Sequence, residues 1–196
     1  MNPTDPPTAS PGDAPADDPV AATWHWLDAA VIGLNLCPFA KAPRAKGQVR
    51  VALSTATTPE DLLADLHREL LDLSAVDEAQ TETTLLVHPH VLQDFLDYND
   101  FLGVAEALLA ELGLEGTLQI ASFHPDFQFA DTPSDDITNA TNRSPFPTLH
   151  LIRESSIDRA VEAFPEAETI YERNMDVMRR LGPEGWAALM RRPRTP

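Results

Sequence analysis

A single α/β domain built on one small sheet is the fold this sequence predicts, and three observations predict it. Four short runs, at residues 49–53, 84–87, 117–123 and 147–152, have the length and apolar content of strands. The first three are separated by stretches of helical periodicity long enough to serve as crossovers between parallel neighbours. The 196 residues, 43% of them hydrophobic, suffice for one sizeable core. The expected architecture is a mainly parallel four-stranded sheet with crossover helices, a β-α-β-α-β-β core, flanked by an N-terminal helix and C-terminal helices. A thioredoxin-like fold or another α+β sandwich is the alternative arrangement of the same elements.

Residues 1–18 are rich in Pro, Ala and Asp and hold little to bury, so they read as a disordered tail before a domain at 19–192, with 193–196 a flexible end. Asp18 before Pro19 is a helix cap followed by a first-turn proline, and Val20, Trp24, Leu27, Val31 and Leu34 recur at helical spacing. That helix should stop near Cys37, because Pro38 disfavours helical backbone in the residue before it. Lys41, Arg44, Lys46 and Arg50 then form a basic loop.

Val49, Val51 and Leu53 alternate as in a half-buried strand. Thr58, Pro59, Glu60 and Asp61 open a second helix whose stripe is Leu62, Leu66, Leu70 and Leu73. The strand at 84–87 runs into His88-Pro89-His90, and a helix carrying Val91, Phe95, Leu102, Ala105 and Leu109 follows, stopped by Gly113. The strands at 117–123 and 147–152 enclose a long polar segment. Ser155 and Asp158 suit the start of a short helix ending by Pro165. A last helix from about residue 166 closes at Gly182, and Pro183 opens a final turn with Trp186, Leu189 and Met190.

The charge balance is strongly acidic, 31 Asp plus Glu against 14 Lys plus Arg for a formal net charge of -17. Such a field repels phosphate backbones and anionic lipid, so neither nucleic acid nor a membrane is an expected partner. One cysteine, Cys37, leaves no internal disulfide to form, and no signal-peptide pattern precedes it; the cytoplasm is the expected compartment.

Chemistry-bearing residues concentrate at residues 122–154. His124 ends a strand with Asp126 two residues on, and His150 sits on the next strand. These three suit general acid-base work, or the binding of a divalent metal ion as the one cofactor that the sequence suggests. Asn139, Asn142 and Arg143 between them suit a clamp for a small polar or anionic molecule, with Lys41 and Arg44 as further anion contacts. The competing reading of the same segment is a loop whose Asp, Asn, Ser and Thr side chains bond their own backbone. His88 also precedes a proline at a strand end, which places it on the same sheet edge as His124 if their strands are parallel. Cys37-Pro38-Phe39-Ala40 resembles a glutaredoxin motif without its second cysteine; a buried, inert thiol is the competing reading.

Three motifs in order carry a wider resemblance: 35–40 (Asn-Leu-Cys-Pro-Phe-Ala), 123–129 (Phe-His-Pro-Asp-Phe-Gln-Phe) and 139–150, from Asn139 through Asn142, Arg143, Pro145 and Pro147 to His150. Together they resemble an uncharacterised bacterial protein family, the domain of unknown function numbered 1415. The resemblance spans nearly everything after the tail and implies no activity, fold or catalytic residue. The residues themselves favour a small-molecule hydrolase or transferase, with a non-catalytic binding module or a single-thiol redox protein as alternatives. A nucleotide-dependent redox enzyme is disfavoured by the lack of a glycine fingerprint.

Overall fold

The computed structural model describes residues 18–163 and 169–191. The tail and the extreme C-terminus expected from the sequence lie outside them, as do Pro165 and the predicted start of the last helix.

Asp18 caps the first helix, α1 (Pro19–Trp26), by accepting a 3.0 Å hydrogen bond from the Val20 N–H. The helix then widens into a π-helical turn over Leu27–Ile32, closed by the Gly33 N–H donating to the Asp28 carbonyl at 3.1 Å. Such widened turns recur at functional sites because they re-aim the side chains that follow. Gly33 permits this one: a Cβ there would stand 2.2 Å from the Ala29 carbonyl oxygen. The basic loop contains a short helix, α2 (Lys41–Ala45), that the sequence reading does not include.

β1 (Val49–Leu53) leads into α3 (Pro59–Ala75), whose cap Thr58 accepts from the Asp61 N–H at 3.2 Å. β2 (Thr83–Val87), α4 (Phe95–Glu111) and β3 (Leu118–Phe123) follow. Helix α4 starts at its cap Asp94, leaving Val91 in the preceding loop. A 3-10 turn, Ile137–Asn142, interrupts the polar segment before β4 (Thr148–Arg153). The helices α5 (Glu154–Ala163) and α6 (Ile170–Met190) end the described chain, α6 breaking at Gly182 with φ 68°.

The sheet order is β1-β2-β4-β3. β1 and β2 pair in parallel, while β4 is antiparallel to both β2 and β3. The expectation of a mainly parallel sheet is therefore corrected to a mixed one: β4 reverses and inserts between two strands that run the same way. It can do so because the segment between β3 and β4 contains no crossover helix to return the chain to the starting edge. Cys37 precedes β1, whereas the thiol of a thioredoxin-like fold follows a strand.

Helices cover both faces. Leu62, Leu66, Leu70 and Leu73 of α3, with Tyr98, Phe101 and Ala105 of α4, pack on Ala52, Leu86, Leu118, Leu149 and Leu151. On the other face Trp26, Leu27, Ala30 and Val31 pack on Leu85. Arg153 at the end of β4 donates to the Leu73 and Val76 carbonyls at 2.7 Å each, satisfying the open C-terminus of α3.

The π-turn is the element most exposed to substitution. Gly33→Ala should lower stability by about 1–3 kcal/mol, because the clash is with backbone and cannot be relieved by a rotamer change. Urea unfolding of the two proteins measures it.

Candidate functional site

β1, β2 and β3 end at one edge of the sheet, and His88 and His124 both stand there, although β4 separates their strands. Tyr98 of α4 lies between the two rings, with centroids 5.7 Å from His88 and 5.1 Å from His124. The bonding of these rings is structural. His124 Nε2 donates to the Leu92 carbonyl at 3.2 Å, and its Nδ1 accepts from the Asp126 N–H at 3.0 Å. Both nitrogens are occupied, and the hydrogen bond from Asp126 comes from its backbone N–H. His88 Nδ1 donates to the Val91 carbonyl at 3.1 Å, which leaves Nε2 as a buried acceptor without a hydrogen-bond partner among the described residues. Burial pushes His88 down to about 4 and lowers His124 as well.

The polar segment closes on itself. Asn139 is fully buried; its Oδ1 accepts from the Phe129 N–H at 3.0 Å and the Thr132 hydroxyl at 2.7 Å, and its Nδ2 donates to the Pro133 carbonyl at 2.9 Å. Arg143 donates to the Phe127 and Ser134 carbonyls at 3.2 and 2.7 Å. Asn142 accepts the His124 N–H through its own carbonyl at 3.3 Å. Asn139 and Arg143, expected with Asn142 to clamp a ligand, thus spend these hydrogen bonds on the loop's own groups. Turn-forming side chains bond nearby backbone when no ligand competes for them.

His150 lies on the opposite face of the sheet. β4 alternates, so Thr148, His150 and Ile152 face α1 while Leu149 and Leu151 face α3 and α4. The expected grouping of His124, Asp126 and His150 is therefore not assembled, and the divalent-metal expectation loses its donor set. Among the described residues no three His, Cys, Asp or Glu side chains come together to hold a metal ion.

What His150 does face is a cavity of about 340 Å³. Its apolar walls come from Trp26, Leu27 and Val31 of the first helix, Phe39 and Pro43 near α2, Val49 of β1, Leu85 of β2, and Ala121 and Phe123 of β3. Its polar groups, Glu82, Thr83, Gln119 and Ser156, gather where β2 begins and β4 ends. Beyond Phe39, Pro43 and Glu82 lies an open basin shared with Lys46, Glu78 and Arg159. This opening is at the amino-terminal edge of β1 and β2, the reverse of the edge expected from the strand-ending histidines.

Inside the cavity Thr83 donates its hydroxyl proton to the Leu151 carbonyl at 2.7 Å, so it accepts from His150 Nε2–H at 2.6 Å. That fixes the neutral tautomer with Nδ1 unprotonated, and burial holds His150 near 4. Cys37 also lines the wall. Burial raises its thiol, outweighing the Phe39 and Ala40 N–H groups that lower it. Of the two expected anion contacts, Lys41 is exposed on α2. Arg44 is paired with Asp28 at 2.8 Å and lies over the Trp24 ring at 4.4 Å.

The sequence reading missed most of this lining. Its residues are ordinary apolar types spread over several elements, and the one local signal is the small Ala121 opposite His150 in the strand register.

A family model described as a protein of unknown function (DUF1415) matches residues 18–188. No curated protein and no solved structure matches the chain. The chain belongs to the DUF1415 family.

The His88 and His150 imidazoles, held near 4 against an ordinary 6.5, make stability depend on acid pH. Their folded values lie below the unfolded one, so the unfolded chain binds more protons between the two. Stability is full above 6.5 and falls as the pH drops toward 4, by up to about 1.4 kcal/mol per pH unit per histidine. Urea titrations from pH 7 to pH 4 should show this slope, and His150→Gln should reduce it. Asn139→Ala should cost about 1–3 kcal/mol by stranding the Phe129 N–H and the Pro133 carbonyl, measured in the same assay.

Proposed function

We propose that this DUF1415 family member binds a small, largely apolar molecule in the cavity between the β2-β4-β3 surface and the π-helical turn. The observation that carries the reading is the cavity itself: about 340 Å³, walled by aromatic and aliphatic side chains, with its few polar groups gathered at one end. Small-molecule sites combine those features, an apolar chamber for affinity and a few directed polar groups for orientation. The body of the ligand is apolar, unlike the polar or anionic molecule suggested by the loop side chains.

Binding is favoured over catalysis by the state of the two reactive groups in the cavity. The His150 imidazole is held neutral with Nε2 committed to Thr83, and the Cys37 thiol is raised by burial. A general base near neutrality needs an imidazole close to its ordinary value, and an activated thiolate needs a lowered one. Among the described residues no helix is long and apolar enough to cross a membrane.

The test is a fluorescence titration with the apolar probe N-phenyl-1-naphthylamine. Wild type should bind it with enhanced emission, and Ala121→Phe, which fills the chamber, should weaken binding at least tenfold with little change in melting temperature. Equal binding by the two proteins would place the probe elsewhere and reject the reading.

A further inference from the structure

We propose that the ligand carries a cationic group, such as a protonated amine, and that the Glu82 carboxylate receives it. This rests on the cavity reading above and adds the chemical class of the ligand's polar end. Among the described residues lining the chamber, Glu82 is the one that brings a formal charge. His150 is neutral with its Nε2–H given to Thr83, and Cys37 is kept as a thiol by burial.

Glu82 is well placed for the role. It stands one residue before β2, and its N–H donates to the Gln48 carbonyl at 2.8 Å, so the β1-β2 pairing fixes its backbone. Half-buried, it lines both the chamber and the outer basin, and therefore sits on the path between them. None of the ion pairs among the described residues includes it.

The cations nearby do not reverse the sign. Arg159 lines the basin but is paired with Glu78. Lys46 lines the basin and not the chamber. Arg44 is held by Asp28 and Trp24. A ligand whose apolar body fills the chamber leaves its polar end at the rim, where an amine meets opposite charge and a carboxylate meets like charge. The net charge of -17 also gathers cations over the whole surface, so the test needs a control of equal charge.

Three probes with one body and different ends separate the possibilities: 1-naphthylmethylamine, 1-naphthalenemethanol and 1-naphthoate, titrated by calorimetry at physiological ionic strength. The amine should bind at least tenfold more tightly than the carboxylate, with the alcohol between them. Glu82→Gln should shrink that ratio to less than threefold and leave the alcohol unchanged. Glu60→Gln, an exposed site on α3 that removes the same charge, should leave the ratio intact. A ratio that survives Glu82→Gln, or falls equally in both variants, overturns the role of Glu82 while the cavity reading stands. Tighter binding of the carboxylate overturns the cationic class. Binding of none of the three, together with no binding of N-phenyl-1-naphthylamine, overturns both.

Discussion

The alternation of β4 between two parallel-running neighbours is the constraint on which the rest depends. An inner strand is hydrogen-bonded along both sides, so its register cannot slip without breaking two ladders. With that register fixed, Leu149 and Leu151 belong to the α3-α4 core, and Thr148, His150 and Ile152 to the other face. A slip by one residue would put His150 in an apolar core and two leucines in the cavity. Arg153, tying the end of the strand to the C-terminus of α3, adds a polar anchor to the same register.

From that division follows the separation of the histidines. His88 and His124 stand with Tyr98 in a tight aromatic group that closes the edge where β1, β2 and β3 end, and the loop stapled by Asn139 and Arg143 covers the neighbouring surface. On the opposite face lies the first helix. Its π-turn, permitted by the absence of a side chain at Gly33, and the small Ala121 opposite His150 flank the chamber. The Trp26 ring meets Phe123 edge-on at 5.0 Å, giving that wall a fixed aromatic corner. A chamber so walled, with one carboxylate at its rim, favours an apolar body over a polar one.

Much of the fold was legible in the sequence. The caps at Asp18 and Thr58 and the leucine stripe of α3 each state their element locally, because capping and periodicity are short-range chemistry. The direction of β4 was not legible: the segment 124–147 has no helical periodicity, and a chain of that length can return to either edge. Nor could the sequence say whether Asn139 and Arg143 face a ligand or their own loop, since the same side-chain groups serve both uses. The cavity lay furthest from view. Val31, Leu85, Ala121 and Ile157 come from four elements and look individually like core residues. What turns them into a wall is the space between them.

The most direct measurement of where this protein binds is a map of backbone amide chemical-shift changes on titrating N-phenyl-1-naphthylamine into isotopically labelled protein. Changes concentrated at Trp26, Leu27, Leu85, Ala121 and His150 are the predicted result. Changes concentrated at His124, Phe127, Asn139 and Arg143, with the cavity wall unmoved, would contradict the account and return the site to the loop.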